Sequence, residues 1–252
     1  MKDRSFVQPD FERAKRKGVP EIVFAESKSV EQSCEIARLF LERNGRAILS
    51  RVSPELEERL RALAREFDGD EVSFEWHDAA RAAVLRRPDG AVPRTGGRVG
   101  ILSAGTSDLP AAQEAAMVCQ EMGCDVVTSL DVGVAGLHRL FGPLSEMLDA
   151  CPDGHEVDVL IVAAGMDGAL PSVVSGLADV PVIGLPTAVG YGLGGQGYAA
   201  LYSMLQTCAP GMAVVNIGNG VGAAAMAGLI ANRCAAARRG AAQRGVGKER
   251  GA

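Results

Sequence analysis

Five short apolar runs separated by helix-length stretches dominate the second part of the sequence: Val99 to Ser103, Val126 to Leu130, Val157 to Ala163, Val180 to Leu185 and Met212 to Ile217. Continuous β-branched runs alternating with helices predict a parallel sheet covered by helices on both faces, since strands buried on both sides lose the alternation of a half-exposed sheet. Upstream, the segment Pro88 to Arg98 is dense in Pro, Gly and Asp and reads as a domain boundary. Before it, Glu21 to Phe24, Ala47 to Ser50 and Val72 to Phe74 read as short strands, and Val30 to Arg43 and Pro54 to Phe67 as amphipathic helices. The expected organisation is a small α/β N-terminal domain over residues 1–95, an α/β domain over residues 96–233, and a disordered Ala/Arg/Gly tail over residues 234–252.

Composition narrows the function classes. Aromatic residues make up only 4% of the chain and the net charge is −5, which argues against a platform for nucleic acid and leaves open a local basic site for a phosphate-bearing ligand. Met1 to Asp10 lacks the apolar core of a signal peptide, and no run reaches the roughly 18 uninterrupted apolar residues of a membrane span. Six scattered cysteines, none in a CxxC or a Cys/His metal spacing, fit a reducing cytoplasm. The expectation is a soluble cytoplasmic protein without membrane or nucleic acid partners.

In a parallel α/β sheet, ligands gather at the carboxyl ends of the strands, and four loops there are rich in glycine and small polar residues. Ser103-Ala104-Gly105-Thr106-Ser107-Asp108 leads from a strand into a helix and offers N–H groups, hydroxyls and a helix dipole to a phosphate, or simply a cap to that helix. Asp131 to Arg139 brings His138 and Arg139, which could hold an anion or stay solvated. Gly165-Met166-Asp167-Gly168 puts a carboxylate between glycines, as a general base, a metal ligand or a helix cap. Pro186 to Gly197 holds five glycines, among them Gly190 and Gly192 around Tyr191, and can approach or close over a ligand. GxGxxG with a following acidic strand end and GxxxxGK[ST] are both missing, so neither a nicotinamide reductase nor a P-loop enzyme is indicated.

Cys208 closes a helix-like stretch, Gln196 to Cys208, and opens the turn Ala209-Pro210-Gly211. Position alone leaves it a buried small hydrophobe or a nucleophile. The residues by themselves therefore point to an enzyme acting on a phosphate-containing small molecule, with a Cys208/Asp167 pair as its chemistry. Lys28, Arg46 and Arg51 of the N-terminal part are further candidates to reach the ligand.

Ser103 to Asp108, Asp131 to Arg139, Gly168-Ala169-Leu170-Pro171-Ser172, Val189 to Gly192 and Cys208 to Gly211 together resemble, in order, the LarB family of pyridinium-3,5-biscarboxylic acid mononucleotide synthases in nickel-pincer cofactor biosynthesis. The N-terminal part is more weakly similar, through Gly18 to Glu21 and Glu26 to Lys28. The second domain also resembles PurE, the aminoimidazole ribonucleotide carboxylase and mutase, which implies a flavodoxin-like parallel sheet. PurE enzymes carry a catalytic histidine directly before Leu-Pro, where this chain has Ala169.

What the LarB resemblance implies is carboxylation of the pyridinium ring of nicotinic acid adenine dinucleotide by carbon dioxide or bicarbonate, with hydrolysis of the phosphoanhydride to release AMP. Cys208 is then the nucleophile that adds beside the ring nitrogen and Asp167 the base that removes the ring proton. Ser103, Gly105, Thr106, Ser107, Asp108, Asp131, His138, Arg139, Gly165, Met166, Gly190, Tyr191 and Gly192 are the implied substrate-binding positions, and Mg2+ the implied cation. Two positions depart from the family: Asp167 stands for its usual Glu, and Gly218 for the Asp of Asn-Ile-Asp-Asn-Gly. The resemblance also implies a homo-oligomer, an octamer in PurE-like proteins. The helix from Gly220 to Arg233, with Ala223, Ala224, Ala225 and Gly228, suits either a subunit interface or close packing inside one chain. The alternatives are a PurE-like carboxylase/mutase and a non-catalytic nucleotide-binding homologue.

Overall fold

A computed structural model describes residues 8–67, 71–149 and 156–249, which leaves Cys151 outside the described residues. The chain forms two compact units, Met1–Val92 and Pro93–Ala252.

In the first unit a short helix α1 (Arg13–Lys17) precedes β1 (Val23–Phe24), α2 (Val30–Asn44), β2 (Arg46–Ser50), α3 (Pro54–Glu66), β3 (Ser73–His77) and β4 (Ala82–Arg86). The sheet order is β1-β2-β4-β3, with β1 and β2 parallel and the other pairs antiparallel. Ser29 caps α2 by accepting the Gln32 N–H at 3.1 Å while Gln32 accepts the Ser29 N–H at 3.1 Å, a capping box that satisfies two donors of the first turn. Ile36, Phe40 and Leu41 of α2 and Leu56, Leu60 and Leu63 of α3 bury their apolar stripes against Leu49 and Leu85. The fourth strand, Ala82–Arg86, was not among the expected ones. Its alanines carry little β propensity, and burial between β2 and β3 decides the conformation.

The second unit runs β5 (Arg98–Ser103), α4 (Leu109–Glu121), β6 (Asp125–Ser129), α5 (His138–Leu148), β7 (Val159–Ala164), α6 (Leu170–Ser175), β8 (Val182–Pro186), α7 (Tyr198–Leu205), β9 (Met212–Val214) and α8 (Gly220–Glu249). All five strands are parallel in the order β6-β5-β7-β8-β9. This is the flavodoxin-like order, and its topological switch point lies between β5 and β7, where the chain leaves the sheet in opposite directions and opens a crevice at the strand ends. Leu140, Leu144 and Met147 of α5, Leu170 and Val174 of α6, and Ala200 and Met204 of α7 bury one face of the sheet. Helices α4 and α8 pack on each other and on the sheet's other face. The last strand ends at Val214, three residues short of Ile217, because the Gly218 N–H turns back to the Pro186 carbonyl at 2.8 Å.

The expected disordered tail is corrected: α8 continues past Arg233 to Glu249. Its Ala-rich composition looks unanchored in sequence, yet Arg238 pairs with the buried carboxylate of Asp158 and donates to the Gly96 carbonyl at 2.9 Å. Arg239 donates to the Thr95 carbonyl, and Thr95 donates to Asn232 at 2.5 Å. By composition the stretch Gly220–Arg244 is long and apolar enough to cross a membrane. Ala223, Ala224, Ala227, Ala231 and Ala235 are nonetheless buried, as in a core helix. The small residues thus serve packing inside one chain, and a Cβ on Gly228 would meet the Met122 side chain at 2.4 Å.

Arg238→Ala is expected to cost about 2 kcal/mol, because the Asp158 carboxylate would stay buried after losing the guanidinium that donates to both of its oxygens. Urea denaturation checks this, and a chain ending at Arg233 should show at least the same loss.

Candidate functional site

The four glycine-rich loops all leave the carboxyl ends of the parallel strands, and they interlock. After β5, Ser103 is fully buried, and its Oγ accepts the Asp131 N–H at 3.3 Å while its carbonyl accepts the Val132 N–H at 3.0 Å. That ties the first loop to the second. A Cβ on Gly133 would sit 2.5 Å from the Ala104 carbonyl oxygen, so only glycine permits this approach.

Asp108 is only 4% exposed. It accepts the Gly105 N–H at 2.9 Å and the Thr187 hydroxyl at 2.5 Å, bridging the first loop to the one after β8. Thr187 was missed by sequence reasoning. It sits 79 residues from its partner, and no local pattern announces the contact. Thr106 and Ser107 remain exposed beside this latch with their hydroxyls available to a ligand. After β7, the Met166 N–H donates to the Val189 carbonyl at 2.7 Å, and Gly165 packs so close to Thr187 and Val189 that a Cβ there would meet both below 2.8 Å.

Backbone strain concentrates on this rim. Asp131 (φ +58°), Met166 (φ +53°) and Gln196 (φ +59°) are non-glycine residues in the left-handed region, a conformation that costs of order 1–3 kcal/mol and persists only where the surroundings enforce it. Gly218 also has φ +65°, so glycine is the residue its backbone prefers at this position.

The side chains of the rim are open to solvent. Asp167, His138, Arg139 and Tyr191 are all exposed, with Gly190 and Gly192 flanking Tyr191. Arg139 pairs with Asp131 at 2.6 Å, so the second loop presents a cation already balanced by a carboxylate. Asp167 accepts the Ala169 N–H at 3.4 Å, a weak bond across the turn before α6 rather than a cap of the helix. Ala169, the position directly before Leu170-Pro171, is the N-cap of α6. Among the described residues no three His, Cys, Asp or Glu side chains gather as a metal site, and Asp108 and Asp131 are engaged. The donor set does not fit a resident magnesium ion.

Cys208 is not brought to this rim. Helix α7 leaves the carboxyl end of β8 and returns to the amino end of β9, so Cys208, three residues past Leu205, lies at the opposite end of the sheet. There the neighbouring Pro210 carbonyl accepts from Ser175 and the Gly211 carbonyl from the Val182 N–H, which opens β8. Five strand residues separate the two ends by about 13 Å or more. The expected Cys208/Asp167 pair is therefore not formed within one chain, and Cys208 is exposed rather than a buried filler. Cys119 and Cys124 are poor nucleophiles. Burial pushes the Cys119 thiol well up, and burial reinforced by Asp158 and Asp125 pushes that of Cys124 up to about 12. Lys28 and Arg51 are tied within the first unit, to the Phe24 carbonyl and to Glu26, and Arg46 opens β2.

Residues 98–251 match the AIR carboxylase family, and the chain belongs to that family. Residues 1–87 match the LarB/PurE-like N-terminal domain, and the two domains in this order make the protein a LarB-type member. It is 40% identical to the uncharacterized protein MJ0165 of Methanocaldococcus jannaschii over 88% of this chain and 82% of that protein. Over 53% of its length it is 35% identical to an N5-carboxyaminoimidazole ribonucleotide mutase of Synechocystis, covering 69% of that enzyme, and 30% identical to one of Thermotoga maritima, covering 74%.

Proposed function

We propose that the protein carboxylates the pyridinium ring of nicotinic acid adenine dinucleotide and cleaves its phosphoanhydride, giving pyridinium-3,5-biscarboxylic acid mononucleotide and AMP. The observation that carries this reading is Ala169: the strand end that holds the proton-carrying histidine of the purine reaction has no titratable group there, while a carboxylate, Asp167, stands two residues away on the same loop. The LarB/PurE-like N-terminal domain supports the same branch of the family.

The chemistry follows from the electron demand of the ring. A pyridinium is too electron-poor to attack carbon dioxide. Addition of a Cys208 thiolate at the carbon beside the ring nitrogen, the thiol coming from a neighbouring copy because one chain holds Cys208 and Asp167 at opposite ends of the sheet, moves one electron pair into the ring and leaves an enamine whose adjacent open carbon is nucleophilic. That carbon bonds to carbon dioxide. Asp167 then takes the proton from it, and the C–H electrons re-form the aromatic ring as the C–S bond breaks and the thiolate leaves. The Gly105-to-Asp108 turn, with the exposed hydroxyls of Thr106 and Ser107, holds a phosphate, and water cleaves the anhydride. Each cycle consumes one carbon dioxide and one water.

Mass spectrometry of a reaction containing the protein, the dinucleotide, magnesium and isotopically labelled bicarbonate tests the assignment. Labelled biscarboxylated mononucleotide with AMP is the expected outcome. Binding of the dinucleotide, seen as a thermal shift without product, would replace it with the non-catalytic reading.

A further inference from the structure

We propose that the first unit carries a ligand site of its own, a cleft between the second half of α3 and the edge strand β3 that takes a planar molecule bearing one phosphate, the chemistry of a nucleoside monophosphate. The site shares no residue with the rim of the second unit, so it stands whichever reaction that rim performs.

The cleft forms where a helix passes over the end of a sheet. Phe74 and Trp76 of β3 pair with Leu85 and Ala83 of β4, both in the first unit's core, so they lie on the face that α2 and α3 cover. In the order β1-β2-β4-β3 no strand follows β3, and the sheet ends there. The cavity beside it measures about 440 Å³, within the roughly 300–1,000 Å³ of small-molecule sites. Ala64, Phe67, Val72 and Phe74 give it an apolar lining, and the last three are half-buried and packed against the core. Arg61, Arg65 and Glu71 complete it, all three exposed.

Much of this lining is fixed before any ligand arrives. The Arg38 guanidinium lies over the Phe67 ring at 5.8 Å and is held by Glu66 at 2.6 Å. Arg61 lies over the Phe74 ring at 4.4 Å while its Nε and Nη2 donate to Glu57 at 3.0 and 2.8 Å. Both phenyl rings and one arginine are therefore set in place, which lowers the ordering cost of binding. Arg65 is different. It stands one turn beyond Arg61 on α3, and among the described residues no carboxylate pairs with it. A guanidinium uncommitted beside an apolar cleft matches a phosphate, whose oxygens its planar fork meets two at a time. The two phenyl rings suit a flat heterocycle. Glu71 sets the charge of the ligand. One uncommitted cation beside one carboxylate favours a monophosphate over a di- or triphosphate, whose further charge Glu71 would repel, and the carboxylate offers an acceptor to an exocyclic amino group.

Trp76, the single tryptophan of the chain, reports on the site, because it lies two residues beyond Phe74 on the same face of β3. Titration of AMP into the full-length protein should give a saturable change in Trp76 fluorescence. Arg65→Gln should raise the half-saturating concentration at least about ten-fold, and Arg65→Lys less, since a lysine keeps the charge without the fork. Arg65 is exposed and outside the core, so both variants should melt with the wild type and keep its turnover, which separates this site from the rim. No change with AMP, or a change that Arg65→Gln leaves intact, overturns the proposal. Inorganic phosphate saturating at the same concentration as AMP would show that the rings hold nothing, and overturns the nucleotide class.

Discussion

Cys208→Ala is expected to abolish formation of the biscarboxylated mononucleotide, a loss of at least about 10³-fold in kcat/KM, with stability changed by no more than about 0.5 kcal/mol. The asymmetry follows from where the thiol sits. Its side chain is exposed on a turn and supports no core, so its removal leaves no cavity. In the proposed chemistry, by contrast, nothing else makes the ring nucleophilic. Asp167→Asn should behave differently although it blocks the same product, because the base acts after carbon dioxide has added. Intact-mass measurement of Asp167→Asn during turnover should show a covalent adduct of carboxylated substrate on Cys208, and Cys208→Ala should show none. A Cys208→Ala chain that still made labelled product would remove the thiol from the mechanism.

The fold of the second unit was legible because its strands are continuous apolar runs set apart by helices, and every one of the five appears within two residues of its expected start. What failed was local. The strand Ala82–Arg86 is specified by its two neighbours rather than by its own alanines. The tail beyond Arg233 takes its order from Asp158, Thr95 and Gly96, contacts with residues far away in sequence. The position of Cys208, however, was recoverable from the same reasoning that gave the sheet. In a parallel β-α-β crossover the residue before the helix and the residue after it lie at opposite ends of the strands, so a thiol following the helix cannot share a strand end with Asp167. The glycine-rich loops were found because ligand rims of such sheets are written in Gly, Ser, Thr and Asp. Their interlocking was not, since a threonine 79 residues from its carboxylate partner carries no signature.

That partner pair gives the second large effect. Asp108→Ala is expected to destabilise the protein by about 2–4 kcal/mol and to cut turnover with it, because the buried carboxylate makes two hydrogen bonds at once, from the Gly105 N–H and the Thr187 hydroxyl. Removing it leaves both donors without their partner at a place with almost no solvent. It also frees the loop after β8 from the loop after β5, on whose Gly105-to-Asp108 turn the phosphate is proposed to sit. The order of the variants separates this latch from a role in contacting substrate. Thr187→Val keeps the volume of the side chain and strands one carboxylate oxygen, so it should cost nearly as much stability as Asp108→Ala. Asp108→Asn should cost less than about 1 kcal/mol, since the amide still accepts from Gly105 through its oxygen and can donate to the Thr187 oxygen through its nitrogen. Urea midpoints rank the three, and activity should follow the same rank. If Asp108→Asn were as stable as the wild type yet as inactive as Asp108→Ala, the carboxylate charge itself would be acting on the ligand, and Asp108 would move from holding the loops to holding the substrate.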